Sequence, residues 1–166
     1  MSMRTSKTRS SWAEKLDRDE GFPKVVKIGP SMTSQWGEGT MVIPSPREVD
    51  EIMRRIPEGK LITISEIRAV LARRHGATIG CPMTTGIFAW IAANAAEETS
   101  PGRADRAGTP YWRTLKSGGF LNEKYPGGVS AQKARLEEEG HRVEQRGKRH
   151  VVADYELVLA VDEVDD

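Results

Sequence analysis

Residues 63–98 read TISEIRAVLARRHGATIGCPMTTGIFAWIAANAAEE, two helix-length segments joined by a short turn. The first segment begins after Thr63 or Ser65, either of which can cap a helix, and Gly76 is a residue type common just past a helix C-terminus. After the turn ATIGCP, a second helix is predicted over residues 83–98. Two helices joined in this way are typical of a helix-turn-helix motif.

A further helix is predicted immediately before this pair. Ser45 precedes Pro46, and Glu48 follows at the third position, which together form the capping pattern of a helix N-terminus. The helix continues through REVDEIMRRI and ends at Pro57-Glu-Gly-Lys. Apolar side chains recur at helical spacing and predict one buried face, formed by Val49, Ile52, Met53 and Ile56.

Beyond the helix pair, short strands and one more helix are predicted. Residues 99–108, TSPGRADRAG, have the composition of a surface loop, and YWRTL after them predicts a short strand. Ser130 begins the helix AQKARLEEEG, which Gly140 closes. The segments HRVEQ and HVVADYELVL predict a closing hairpin around Arg146-Gly-Lys.

The start of the chain is predicted to form a tail and an arm. The first ten residues are polar and basic, and Ser10 or Ser11 can cap a short helix that ends at Leu16. A Gly- and Pro-rich arm follows. We expect it to pack on the main domain, because its apolar residues would otherwise be exposed; these are Trp36, Met41 and Ile43.

The expected fold class is therefore α+β, mostly helical. It comprises an irregular N-terminal tail and arm over residues 1–44 and a winged helix-turn-helix-like domain with a short closing hairpin over residues 45–158. Residues 159–166 are an acidic tail that is expected to fray.

Composition limits the functions open to this chain. Of its 166 residues 30% are charged, yet the formal net charge is +1, so any affinity for nucleic acid must come from local patches. Cys81 is the single cysteine, and the three histidines have no metal-ligand spacing, so neither a disulfide framework nor a metal site is expected. No apolar run approaches the length of a membrane span. We expect a cytoplasmic protein with no cofactor and no membrane partner.

Five short motifs occur in an order that resembles a known family. They are IPEGKLITISEI, a helix beginning near Pro82, TPYWR, a YPGG turn and LEEEGHRV. The same order characterises the DNA-binding domain of alkylguanine-DNA alkyltransferases. The chain is more similar still to the alkyltransferase-like proteins, which keep that domain without its reactive cysteine. The resemblance covers residues 46–155 and implies a winged helix-turn-helix protein that binds double-stranded DNA.

The same resemblance indicates which part of the family's chemistry is missing. The reactive motif Pro-Cys-His-Arg is matched by Pro110, Tyr111, Trp112 and Arg113. A phenol, with a pKa near ~10, is a poor nucleophile at neutral pH, and an indole has an N–H donor but no basic nitrogen. Glu139 matches the glutamate that orients the family's histidine, which is absent here. The chain is therefore predicted not to be an enzyme.

Cys81 is the remaining candidate nucleophile. A cysteine near a helix N-terminus can have a lowered pKa, and Cys81 lies before the second helix of the pair. We favour the interpretation that it is a small buried residue, because unpaired cysteine is among the most buried residue types. An active methyltransferase that uses Cys81 is the less favoured alternative.

The resemblance implies a set of DNA contacts on the helix pair and after the aromatic pair: Thr63, Ser65, Thr84, Thr85, Gly86, Arg113 and Lys116. Ile64 takes the place of the family's base-flipping tyrosine. It is either a wedge for a base step or, as we favour, a core residue. The family's arginine finger is matched by Gly86, which cannot fill the gap left by an extruded base.

The predicted second helix is unusual for a recognition helix, because it has no Lys or Arg. Its apolar residues are expected in the core: Ile87, Phe88, Trp90 and Ile91. Cations elsewhere either follow a phosphate backbone or form an ordinary solvated surface, and both interpretations stay open. They include Arg68, Arg73, Arg74, Lys133, Arg135, Arg146, Lys148 and Arg149.

A pocket for a base or a ligand is the last feature that the resemblance implies. Its walls would be Tyr111, Trp112 and Tyr125, with Gly127 and Gly128 in a lid loop. The favoured prediction is a non-enzymatic DNA-binding protein that recognises altered bases for DNA repair. Its partners would be double-stranded DNA, with or without alkylation, and a repair-pathway protein. The alternative is a fold reused as a protein-interaction or small-ligand-binding module without DNA binding.

Overall fold

The computed structural model describes residues 11–18, 21–99, 108–162 and 164. Predictions that concern Ser10 and residues 100–107 of the surface loop lie outside the described residues. In chain order the elements are α1 (Trp12–Leu16), β1 (Lys24–Lys27), α2 (Thr33–Trp36), β2 (Thr40–Ile43), α3 (Pro46–Arg54), β3 (Ile62–Thr63), α4 (Ile64–His75), β4 (Ile79–Gly80), α5 (Pro82–Thr99), β5 (Thr114–Leu115), α6 (Gly128–Glu138), β6 (Val143–Arg146) and β7 (Arg149–Val152).

The strands in the described residues form three small sheets, ordered β1-β2-β4, β3-β5 and β6-β7. β2 pairs antiparallel with β1 and parallel with β4, the short strand in the turn between α4 and α5. β3 and β5 pair in parallel, and β6 and β7 form the hairpin. The fold class is α+β and mostly helical, as predicted.

Three helix ends lie where local signals predicted them. Ser45 caps α3 by accepting a hydrogen bond from the backbone N–H of Glu48. At the start of α4, the Glu66 carboxylate accepts hydrogen bonds from the backbone N–H and the hydroxyl of Thr63. Gly76 ends α4 in the left-handed conformation, with φ at 63°. These three predictions are confirmed, because each depends on residues within one turn of the helix end.

α5 packs on α1, α3 and α4 through small side chains. The buried residues of this helix are Thr85, Ala89, Ala92, Ala93, Ala95 and Ala96. Small side chains let neighbouring helices approach closely, and they leave the larger residues on another face of α5. Met83 and Ile87 are consequently exposed, so the prediction that Ile87 lies in the core is wrong.

Three predictions for the C-terminal third are wrong in detail. YWRTL is a 3₁₀ turn over Tyr111–Arg113 followed by β5, which is short because its partner β3 has two residues. α6 begins at Gly128 and not at Ser130. The second strand of the hairpin ends at Val152, and a 3₁₀ turn follows over Tyr155–Val158.

The tail that was expected to fray is anchored in its described part. The backbone N–H of Leu61 donates to the Val158 oxygen, and that of Ala160 donates to the Leu61 oxygen. Ala160 and Val164 are fully buried, and the Arg74 guanidinium donates to the Val164 oxygen at 3.2 Å. Apolar residues among the acidic ones thus hold this segment to the core.

The N-terminal tail and arm also contact the helix pair through side chains. The Trp36 ring lies 4.4 Å from the Arg68 guanidinium of α4. On α5, the rings of Trp12 and Trp90 meet edge-on with centroids 4.8 Å apart, and the Glu98 carboxylate accepts from the first backbone N–H groups of α1. Trp90 is therefore held from one side by α1.

Candidate nucleic-acid interface

The aromatic residues of the predicted pocket are buried. Tyr111, Trp112 and Tyr125 are 3%, 1% and 3% exposed. The Tyr111 ring meets the rings of Trp112 and Tyr125 edge-on, with centroids 5.6 and 5.5 Å apart. In this structure the three rings fill the space between them, so the predicted pocket for a base or a ligand is closed here.

The two glycines of the predicted lid loop form the start of α6. Gly127 and Gly128 have φ values of 81° and 72°, a conformation that side chains other than glycine rarely adopt. A Cβ atom on Gly127 would lie 2.6 Å from the Cβ of Ala131. Close packing at the helix start therefore requires glycine at residue 127.

The Tyr111 phenol cannot take the place of a reactive thiol. Its hydroxyl donates a hydrogen bond to the Glu97 carboxylate at 2.8 Å. Burial, followed by this hydrogen bond, raises the pKa of the Tyr111 phenol well above its ordinary value. The phenol is protonated at neutral pH and is not a nucleophile.

The Glu139 carboxylate accepts hydrogen bonds from Trp112 and Arg113. Trp112 Nε1 donates to its Oε2 at 3.0 Å, and Arg113 donates through Nε and Nη2 at 2.9 and 2.7 Å. A further nitrogen of Arg113 donates to the Ile56 oxygen at 2.8 Å. Burial alone would raise the pKa of the Glu139 carboxyl, but hydrogen bonds from Arg113 and Trp112 outweigh it and lower that pKa. The motif residues thus form an internal ion pair.

His141 lies near this ion pair, and its Nε2 atom is buried without a partner among the described residues. Burial lowers the pKa of the imidazole, and the Glu139 charge opposes that shift. The unfolded chain therefore binds a proton more readily than the folded one. Burial of this histidine therefore costs no stability above its ordinary pKa of 6.5, and the free energy of unfolding declines as the pH falls below that value.

Replacing His141 with glutamine should therefore flatten the loss of stability between about pH 7.5 and pH 5.5. Urea unfolding at both pH values measures this loss, with His150→Gln on the hairpin as the control. Equal losses of unfolding free energy in the wild type and the His141 variant would contradict the expectation.

Four of the seven predicted DNA contacts point into the protein. Thr63 and Thr85 are fully buried, and both hydroxyls form internal hydrogen bonds. The Thr84 Oγ1 atom is also shielded from solvent. Arg113 is bound to Glu139. In this structure the polar atoms of these four residues are enclosed or already used, and their contact with DNA stays a prediction.

The other three predicted contacts lie at the surface. Gly86 and Lys116 line an open cavity. Ser65 is exposed, and its hydroxyl lies 2.7 Å from that of Ser117, which lines the same cavity. These three residues share one face of the protein and stay predicted contacts.

The cavity has a volume of about 730 Å³ and lies between the start of α4, the first half of α5 and residues 116–124. Its apolar side is formed by Ile64, Met83, Ile87 and Trp90, and its polar rim by Lys116, Ser117, Asn122, Glu123 and Lys124. The Trp90 indole N–H donates to the Lys124 oxygen at 3.1 Å, which fixes one wall. Ile64 is half-buried, so it belongs to both the core and this wall.

The sequence did not reveal Met83 and Ile87 as exposed residues, nor Trp90 as part of a cavity wall. The signal that could have located them is the alanine pattern of α5. Ala89, Ala92 and Ala96 recur at helical spacing and mark the packed face of α5. Met83 and Ile87, which are four residues apart, lie on another face of this helix.

Positive side chains continue from the cavity rim to the hairpin. The backbone of Lys116 pairs with Phe120, which in turn pairs with β7. The Arg149 guanidinium lies 3.9 Å from the centre of the Phe120 ring. Arg146 and Lys148 at the hairpin tip are exposed. We call Lys116, Arg146, Lys148 and Arg149 the cationic strip.

Two other kinds of chemistry were considered for this chain, a reactive cysteine and a bound metal ion. Cys81 is 7% exposed and packs with Ile28 and Met41, which confirms the interpretation of a small buried residue. Among the residues that the structure describes, no group of three His, Cys, Asp or Glu side chains could hold a metal ion. Within the same residues, no helix is both long and apolar enough to cross a membrane.

Comparison with known proteins gives two solved structures. The chain is similar to an alkyltransferase-like protein. One is S. pombe Atl1 in complex with damaged DNA containing O6-carboxymethylguanine. Its sequence is 24% identical to this chain, and the match covers 69% of this chain and 92% of the Atl1 chain, with a TM-score of 0.47. The other, S. pombe ATL in complex with DNA, is 23% identical with the same coverages and a TM-score of 0.45. No family model and no curated protein matches the chain significantly.

Proposed function

We propose that this chain binds duplex DNA with the face around the cavity and carries out no alkyl transfer. The observation that carries the proposal is that the exposed side of α5 and Lys116 line one cavity, and that the backbone of Lys116 is linked through Phe120 to the hairpin that carries Arg149. A helix-turn-helix next to a cationic hairpin supplies both a surface for a groove and charges for the phosphates. The sequence resemblance to alkyltransferase-like proteins supports the same function.

The buried contacts of the motif support the proposal that the chain does not transfer an alkyl group. The Tyr111 phenol is protonated and bonded to Glu97, and the Trp112 indole is bonded to Glu139. A catalytic base and an accessible nucleophile are both required for alkyl transfer, and neither residue supplies one. We therefore propose that altered bases are recognised without being repaired by this chain, and that a repair-pathway protein acts afterwards.

The salt dependence of duplex binding tests the proposal. If about four phosphates are neutralised, the affinity should fall about 100-fold between roughly 50 and 200 mM salt. Arg146→Gln/Lys148→Gln should reduce the slope of log K against log salt by about two. Fluorescence anisotropy of a labelled duplex measures both quantities. Lys24→Gln/Lys27→Gln on β1 is the matched control. Negligible binding at low salt would refute the proposal.

A second function is favoured by one observation. Met83 and Ile87 are large apolar side chains on the open surface, as is common where a protein partner docks. In that case the same face would bind a protein and not DNA. A partner that co-purifies with the wild type but not with Met83→Asp, together with negligible DNA binding, would support this alternative.

A further inference from the structure

We infer that Met83 and Ile87 form an apolar wedge that enters a DNA base step, so that the chain selects duplexes whose stacking is already weakened. This inference rests on the proposed DNA binding. It adds a specificity-determining pair of residues and a class of preferred target: duplexes with a bulge or a mismatch.

The geometry of the pair suits insertion. Met83 is 72% exposed and Ile87 is 43% exposed, and they are four residues apart on one face of α5. Gly86 lies beside them, and a Cβ atom added to it would meet none of the described atoms within 4 Å. Two apolar side chains therefore project next to open space at the mouth of the cavity.

α5 has little means of reading base edges by hydrogen bonds. The Thr84 and Thr85 hydroxyls are enclosed, and the Asn94 amide donates to the Trp90 oxygen at 2.9 Å. The helix has no Lys or Arg. Base-edge recognition needs donors and acceptors, so apolar contact and the shape of the DNA are what this helix can sense.

The charges around the wedge indicate that DNA binds this face of the protein. Lys116 and Lys124 lie on the cavity rim, where the Lys116 ammonium also pairs with the Glu123 carboxylate at 3.1 Å, and the cationic strip continues from Lys116 to the hairpin. Cations beside an apolar wedge match a base step flanked by phosphates.

The preference for weakened stacking follows from the cost of insertion. A side chain that enters a step must separate two stacked bases, which costs free energy in an intact duplex. A bulge or a mismatch has already lost part of that stacking. The wedge should therefore bind such a site roughly tenfold more tightly than the matched duplex.

Two duplexes with 2-aminopurine at the same position, one matched and one with an adjacent single-base bulge, test the wedge. We expect the wild type to favour the bulge and to raise the 2-aminopurine fluorescence. Met83→Ala/Ile87→Ala should lose both effects and bind the bulged and the matched duplex with equal affinity. Leu157→Ala removes a side chain that is 80% exposed elsewhere and is the matched control.

The outcomes separate the two proposals. Salt-sensitive binding of the matched duplex, with no preference for the bulge, would overturn the wedge and leave the proposed function standing. A preference that survives in the double variant would also overturn the wedge. Binding of neither duplex at low salt would overturn both.

Discussion

Replacing Glu139 with glutamine should lower the free energy of unfolding by about 3 kcal/mol. The side chains of Glu139 and Arg113 are 7% and 13% exposed, so the ion pair lies largely out of water. A glutamine would direct an amide N–H₂ group at a guanidinium or leave Trp112 Nε1 without its acceptor. Losing one partner of a buried pair costs more than the pair contributes, because the other charge stays behind.

Urea unfolding followed by tryptophan fluorescence measures this loss. Glu138→Gln changes the exposed neighbour on α6 and should alter the free energy of unfolding by less than about 0.5 kcal/mol. Arg113→Met/Glu139→Gln should cost less than the two single changes added together, because no charge is then left alone. A Glu139 variant as stable as the Glu138 variant would contradict the internal ion pair.

The same ion pair determines how the free energy of unfolding changes at low pH. Because the pKa of Glu139 is lowered on folding, its stabilisation is complete above the ordinary carboxyl pKa of 4.5. It is lost as the pH falls through the lower folded value. The Glu139→Gln variant should therefore lose less stability than the wild type over that range.

Replacing Trp112 with alanine should lower the free energy of unfolding by about 3 to 5 kcal/mol. Trp112 is among the largest fully buried side chains, and the Arg135 guanidinium lies 4.3 Å from its ring. The change leaves a cavity and also removes a hydrogen bond to Glu139. Trp112→His should cost less, because an imidazole can still donate to that carboxylate.

Thermal and urea unfolding of both variants measure these costs. Trp36→Ala is the matched control, because that indole is half-buried on the arm against Arg68 and should cost roughly 1 kcal/mol. If Trp112→Ala cost no more than Trp36→Ala, the indole would not be part of the core. An equal cost for alanine and histidine would mean that the bond to Glu139 contributes nothing.

Helix boundaries in this chain could be predicted from sequence because their determinants are local. Ser45 with Glu48, Thr63 with Glu66, and Gly76 all act within one turn of a helix end. The two-residue strands could not be predicted in this way. β3 and β5 form where Ile62 meets Thr114, two segments that are far apart in sequence.

The candidate site was predicted less well than the fold. The cavity lies beside Gly86 and Lys116, two of the DNA contacts that the resemblance implies. The direction in which each side chain points could not be predicted. Tyr111 and Trp112 fill the pocket that a smaller motif would leave open, and the alanines of α5 direct Met83 and Ile87 outward. Both outcomes depend on how side-chain volumes fit together across elements.

One measurement tests the central claim most directly. The wild-type chain is titrated into a labelled duplex with a single O6-methylguanine, and into the plain duplex, at roughly 50 and 200 mM salt. Intact mass is recorded after incubation with the methylated duplex. We predict salt-sensitive binding, tighter for the altered base, and a protein mass that does not change. A gain of one methyl group, or negligible binding of both duplexes at low salt, would contradict a DNA-binding protein without alkyl transfer.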